Sequence, residues 1–171
     1  MRITYFIITL AICFCTSLFA ENKANDLMKQ AQNSLEQKDF TKARYLYIQA
    51  YKAFSNEGDY TQAIDCGTKA TYLYYRENYY QEAFELCRQM TQFLLTEEQK
   101  AQKTFYDQRF QLTKERLQMY IKLKNAAQAQ LQLNTLDNLV SQAGSDKLAE
   151  DLLYTQASYY YTFGQNDQGD A

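Results

Sequence analysis

The six residues Gly58-Asp59-Tyr60-Thr61-Gln62-Ala63 decide the fold, because a related pattern stands twenty residues away on each side. KDFTKA occupies 38–43, and YYQEA occupies 79–83. In each copy an aromatic residue is followed three positions later by alanine; the pairs are Phe40 with Ala43, Tyr60 with Ala63, and Tyr80 with Ala83. A twenty-residue interval accommodates one helix and a tight turn, so two intervals predict a helical hairpin of the length found in solenoid repeats.

Each position of the pattern has a physical role in such a hairpin. Asp39 and Asp59 can accept hydrogen bonds from the unpaired N–H groups at a helix start, which predicts N-caps there. The aromatic residue fills the space between neighbouring helices, and the alanine lets two backbones approach closely. Gly58 provides the conformational freedom that ends the preceding helix.

The composition predicts an all-α chain. It has 171 residues, no proline and five glycines, and residues that favour helix recur throughout. Lys plus Arg is 18 against 20 for Asp plus Glu, which disfavours nucleic acid as a partner. Histidine is absent, which removes the commonest general base and metal ligand. We therefore predict one non-catalytic domain with no catalytic, cofactor-binding or metal-binding residue.

Seven helices are expected after the N-terminal segment. Thr96 to Gln99 has a capping-box pattern, Asn125 repeats the helix start, and Gly144 predicts a stop before a start at Ser145 or Asp146. The predicted helices span 23–37, 40–55, 60–76, 79–94, 97–124, 126–142 and 146–163. In the longest of them one face collects the larger apolar residues, which predicts burial on one side only; these residues are Tyr106, Phe110, Leu117, Tyr120 and Ile121.

Residues 1–20 have the layout of a secretory signal. Arg2 is the only charge before Glu21, an apolar run follows it, and small Ala20 precedes a polar stretch. This pattern predicts export with cleavage after Ala20. An uncleaved N-terminal anchor is the alternative, because Leu18 is larger than the residue favoured at that position. The predicted location is the periplasm, or the periplasmic side of the inner membrane.

Two cysteines follow the signal segment, Cys66 and Cys87. An exported protein can form a disulfide, but each residue stands in a helical pattern where cysteine behaves as a small buried hydrophobe. Two packed thiols are therefore favoured over a disulfide.

On the repeated motifs the chain resembles the tetratricopeptide family of helical repeats over Asn22 to Ala171. Small residues stand at matching positions of the adjoining helices; these are Ala31, Ala50, Ala53 and Ala70. The resemblance implies hairpins stacked in a right-handed superhelix, an α-solenoid. The proline that often closes a family repeat is missing, so the resemblance does not imply a regular curvature.

A narrower likeness concerns the segments 78–90, 109–129 and 150–171. They look like the exported repeat region of bacterial membrane-bound regulators, which resemble sensor kinases. In addition, the chain stops at 167–171 where the repeat phase predicts a new helix. We expect a fragment of a longer protein, with a genuine frayed terminus as the alternative.

The predicted function follows from these resemblances. The leading hypothesis is an extracytoplasmic module that binds a protein or peptide, as the sensor region of a signalling regulator. Membrane association would come from a missing downstream segment or from the N-terminal anchor. A periplasmic scaffold for envelope assembly is the alternative, and an enzyme is a remote one. The tyrosines of 71–83 are interpreted mainly as hairpin packing, with Tyr74 and Tyr75 as candidate partner-binding residues.

Overall fold

The computed structural model describes residues 23–164, and within that range the chain is all-helical, with seven helices and no strand. The first helix, α1, covers 23–36. The other six are α2 Phe40–Glu57, α3 Tyr60–Arg76, α4 Tyr80–Ala101, α5 Tyr106–Lys122, α6 Ala126–Ala143 and α7 Asp146–Thr162. The predicted signal segment 1–20 and the predicted helix start at Asp167 lie outside the described residues.

Four helices begin directly after a residue whose side chain accepts a hydrogen bond from the backbone N–H three positions later in the chain. The acceptors are Asp39 for α2, Asp59 for α3, Asn125 for α6 and Ser145 for α7, at distances of 3.0–3.4 Å. Each bond satisfies an N–H group that the helix itself leaves without a partner. The caps predicted at Asp39 and Asp59 are confirmed, and Ser145 rather than Asp146 caps α7.

Five of the six turns between helices share one backbone feature, a residue with positive φ two positions before the first residue of the next helix. Gly58 has φ 78° and donates its N–H to the carbonyls of Phe54 and Ser55, so it ends α2 as predicted. Gly144 has φ 60° and ends α6. The left-handed residues recur at twenty-residue spacing in two runs, Lys38, Gly58, Asn78 and then Lys124, Gly144, Gly164.

The predicted boundary between the fourth and fifth helices is wrong. Helix α4 continues to Ala101, so the predicted start at Thr96 lies inside it. The Thr96 hydroxyl donates to the carbonyl of Gln92 at 2.9 Å, a bond that a threonine within a helix makes with the preceding turn. The chain breaks at 102–105 instead, where Gln102 has φ 49° and Glu98 Oε1 accepts from the N–H of Phe105 at 2.8 Å.

The described chain divides into two compact units, and the division falls in α3 between Leu73 and Tyr74. In the first unit α2 and α3 meet where Lys69 Nζ lies 5.8 Å from the ring centroid of Tyr47. Small residues dominate the buried positions of this unit, which include Ala24, Ala31, Ala43, Ala50, Ala63 and Ala70. Small side chains allow helices to pack closely.

In the second unit α5 packs against α4, α6 and α7, and α6 also packs against α7. The core lies between α5, α6 and α7 and is formed by Phe110, Leu117, Ile121, Ala129, Leu133, Leu136, Leu148, Leu152 and Tyr159. Leu112 and Met119 are buried outside that cluster. Leu112 follows Phe110 by two residues and therefore lies on nearly the opposite side of α5. Since both are buried, the prediction that this helix is buried on one side only is wrong.

None of the helices within 23–164 has both the length and the hydropathy required to cross a bilayer.

Candidate functional site

The residues of the repeat pattern occupy equivalent places in three helices. Ala43, Ala63 and Ala83 are each 0% exposed, and each donates its backbone N–H to the carbonyl of the residue before its helix, at 2.9–3.1 Å. Phe40, Tyr60 and Tyr80 open their helices and are half-buried. Each alanine methyl thus lies against other atoms in the first helical turn, where a larger side chain would need extra room.

The turn between α3 and α4 carries an aromatic cluster around one cation. Lys122 of α5 donates from Nζ to the carbonyl of Tyr75 at 2.6 Å. The same ammonium lies 5.5 Å from the ring centroid of Tyr75 and 5.6 Å from that of Tyr80. These distances fall within the range of cation–π attraction, so the lysine fixes the end of α3 against α5.

The other rings of this turn pack on one another. Tyr74 and Tyr79 meet edge to face with ring centroids 6.5 Å apart, and the Tyr80 hydroxyl donates to Asn78 Oδ1 at 2.8 Å. Tyr79 is 48% exposed and Tyr72 is 45% exposed. Consecutive helical positions point about 100° apart, so the rings of such a run cannot all be buried on one side. We define the tyrosine cluster as Tyr74, Tyr75, Tyr79, Tyr80 and Lys122.

Tyr74 and Tyr75, the candidate partner-binding residues, are half-buried within this cluster. Tyr74 contacts Tyr79, and Tyr75 contacts Lys122. Among the four rings of the tyrosine cluster, that of Tyr79 is exposed and the other three are half-buried.

Helices α4, α5 and α6 enclose a cavity of about 110 Å³. Its walls combine leucines with two guanidinium groups and three hydroxyls; they are Thr91, Leu94, Leu95, Arg109, Leu112, Thr113, Arg116, Thr135 and Leu139. Arg109 and Arg116 stand seven residues apart on α5, which is about two helical turns, so both lie on one side of the helix. We call this space the arginine cavity.

Arg116 is held across the cavity by α4. Its Nη2 donates to the Thr91 hydroxyl and lies 3.4 Å from the carbonyl oxygen of Cys87. Both acceptors are neutral, and within the described residues no carboxylate forms an ion pair with Arg116.

Arg109 has a nearby acid, but the contact is loose. Its Nη1 lies 3.9 Å from Glu98 Oε2, and its side chain is 39% exposed. The other oxygen of Glu98 accepts from the N–H of Phe105. Glu98 therefore neutralises Arg109 in part while it also fixes the start of α5.

The sequence pattern points to these arginines only weakly. Lys114, Glu115 and Arg116 are consecutive charges, which is typical of a solvated helix surface. The sequence feature that could have indicated the site is the seven-residue spacing of the two arginines, with Leu112 and Thr113 between them. That spacing places charge beside apolar residues on one face.

Glu115 differs from a surface acid in its burial. Its Oε2 is the one buried side-chain N or O atom of residues 23–164 without a hydrogen-bond partner. Burial raises the pKa of this carboxyl to about 7, although Lys114 acts in the opposite direction. A carboxylate there is costly, because an apolar surrounding disfavours the charged form.

The two cysteines are buried thiols within the described part of the chain. Each is 0% exposed, and burial raises the pKa of the Cys66 thiol to about 12. The prediction of packed thiols rather than a disulfide is confirmed. Residues 23–164 also contain no group of three or more acidic or cysteine side chains able to hold a metal ion.

No protein-family model, curated protein or solved structure matches this chain.

Proposed function

We propose that the chain is a non-catalytic helical-repeat module of the tetratricopeptide type, which binds a protein or peptide outside the cytoplasm. The observation that carries the proposal is the twenty-residue recurrence of one structural unit. A left-handed residue is followed by a helix start and then by an alanine that is 0% exposed, at twenty-residue intervals at Ala43, Ala63 and Ala83 and once more at Ala129. Repeats of this kind use their surfaces for binding partners more than for chemistry.

The extracytoplasmic location and the role of sensor region rest on sequence. The pattern of residues 1–20 supports export, and the segments 78–90, 109–129 and 150–171 resemble exported repeat regions of membrane-bound regulators. In this proposal the hairpins stack in a right-handed superhelix. A partner would change the packing between hairpins and thereby move the C-terminal end of the array, which would be linked to a membrane helix.

The tyrosine cluster is the partner-binding surface of this proposal. Its rings offer large apolar faces with hydroxyl groups at the rim, and tyrosine is enriched where proteins meet one another. Tyr79 is its most accessible ring, Tyr74 packs against that ring, and Tyr75 contacts Lys122.

The first experiment is capture of a partner by the full chain expressed in a bacterium. Wild-type protein is compared with Tyr79→Ala and with Tyr45→Ala, a matched control at an exposed tyrosine of α2. We expect one protein to be captured by the wild type and by the control, and its recovery to fall at least about tenfold with Tyr79→Ala, as for an aromatic hot spot. Equal recovery with all three, or no protein above background, would refute the proposed surface.

The sensor role is tested separately. Translation of the gene beyond Ala171 should show a membrane helix followed by a cytoplasmic signalling domain. A stop codon there would favour the periplasmic scaffold instead. Recovery of the expressed chain only in the cytoplasmic fraction would contradict both.

A further inference from the structure

We propose that the arginine cavity is a binding site for a small organic monocarboxylate. The inference goes beyond the proposed function, since the cavity lies between α4, α5 and α6 and includes no residue of the tyrosine cluster. Three properties of its walls define the ligand: the available charge, the available donors and the volume.

The charge of the site comes mainly from Arg116. Its protein acceptors are a hydroxyl and a carbonyl, so its charge lacks a counter-ion among residues 23–164. Arg109 adds positive charge that Glu98 partly neutralises at 3.9 Å. The site thus offers about one uncompensated positive charge, which suits a singly charged anion better than a dianion.

The available donors are guanidinium N–H groups. The three threonine hydroxyls donate within their own helices, from Thr91 to the carbonyl of Cys87, from Thr113 to that of Arg109 and from Thr135 to that of Leu131. Within residues 23–164, in contrast, Arg116 donates hydrogen bonds from Nη2 alone. Glu115 Oε2 is the one buried side-chain N or O atom of residues 23–164 that lacks a hydrogen-bond partner. The Nε and Nη1 atoms of Arg116 are therefore not buried, and they remain accessible. A guanidinium edge matches the two oxygens of a carboxylate.

The volume of the cavity limits the size of the ligand, and the leucines in its wall determine the chemistry of the part beyond the carboxylate. The cavity measures about 110 Å³, compared with about 150 Å³ for an engineered protein cavity that holds benzene. An acid of about six non-hydrogen atoms is the upper limit for this volume, and it fits when one end lies at the open side beside exposed Thr135. Leu94, Leu112 and Leu139 are buried in the wall, and they favour an alkyl chain over inorganic phosphate because contact removes apolar surface from water.

The experiment titrates the full chain with butyrate, using NMR shifts and thermal unfolding as readouts. Two further probes separate the contributions: butyramide has the same shape without charge, and inorganic phosphate has charge without an alkyl group. We expect saturable binding of butyrate with a dissociation constant on the order of 1 mM, as for a ligand of this size. Both other probes should bind at least about tenfold more weakly, because each lacks one of the two interactions. Butyramide or phosphate binding as well as butyrate, or no saturation by butyrate, would overturn the proposal.

Variants locate the site. Arg116→Gln should weaken butyrate binding at least about tenfold, and Arg109→Gln should weaken it less. Arg88→Gln is the control, since Arg88 lies outside the cavity wall and pairs with Glu85 at 2.7 Å. An unchanged affinity in Arg116→Gln would exclude the arginine cavity as the site.

Arg116 also joins α5 to α4, so its loss can disturb folding. Thr135→Phe addresses this, because Thr135 is an exposed residue at the rim and its replacement leaves the contacts of Arg116 in place. The phenyl group should fill the cavity mouth and reduce butyrate binding at least about tenfold. Because Thr135 is exposed, the thermal midpoint of the ligand-free chain should stay nearly unchanged. Butyrate binding that survives in this variant would also overturn the proposal.

Discussion

At the scale of single residues, the most consequential side chains are those whose surroundings differ from what their type suggests. Arg116 is a charged residue of an amphipathic helix, yet it bonds to α4 rather than to a carboxylate. Glu115, its neighbour in sequence, has a buried oxygen without a partner. Such groups reduce stability, because a buried polar atom loses its hydrogen bonds to water.

Glu115 gives a prediction about pH. Its pKa is raised from 4.5 to about 7 in the folded chain, so the folded state binds more protons than the unfolded state between these values. The stabilisation is complete below pH 4.5 and is lost as pH rises through 7. The loss amounts to up to about 3 kcal/mol of unfolding free energy.

Urea unfolding at pH 5 and pH 8 tests this expectation. Glu115→Gln should be more stable than wild type at pH 8 and should lose most of this advantage at pH 5, since its amide stays neutral. Glu82→Gln, at an exposed glutamate of α4, controls for removal of a surface charge. A Glu115→Gln chain with the same pH dependence as wild type would contradict the assignment.

At the scale of helices, the boundaries follow from local backbone chemistry. Asp39 and Asp59 cap the helices that follow them, and Gly58 ends the helix that precedes it. These effects act over about one turn and are therefore readable from sequence. The break between α4 and α5 is different, because it contains neither glycine nor proline and depends on a bond from Phe105 back to Glu98, seven residues away.

The break gives a prediction about Gln102. This residue has φ 49°, a conformation that glycine adopts without the steric cost of a side chain. Gln102→Gly relieves about 1–2 kcal/mol of steric strain, and the greater entropy that glycine loses on folding offsets part of this, so the free energy of unfolding should rise by about 0.5–1 kcal/mol. The matched control is Gln99→Gly, three residues earlier on the exposed side of α4, which should lower it by about 1 kcal/mol. Urea midpoints measure both, and destabilisation by both would show that α4 continues through residue 102 in solution.

At the scale of the whole molecule, the chain forms two compact units. Both units contain the same repeated element, a turn with a left-handed residue followed by a helix. In repeat proteins stability is approximately a sum over units and their nearest neighbours. A local defect is then expected to act mainly within its own unit.

Hydrogen exchange of two matched variants tests this expectation. Ala43→Leu places a larger side chain in the first unit, and Ala83→Leu places the same one in the second, at positions that are both 0% exposed. Each should cost about 1–3 kcal/mol through overpacking. Protection should fall mainly in 23–73 for the first variant and mainly in 74–164 for the second. An equal loss in both units for either variant would show that the chain opens as one cooperative body.

The sequence by itself determined the all-helical class, the twenty-residue period and most helix boundaries, because caps, left-handed turn residues and apolar periodicity act through neighbours in the chain. The tertiary structure alone decided the surroundings of Arg116, Glu115 and the second buried face of α5. The bonds of Arg116 reach residues 25 and 29 positions away, and no local pattern records such distant partners. The arginine cavity follows from those distant contacts, since its walls come from three different helices.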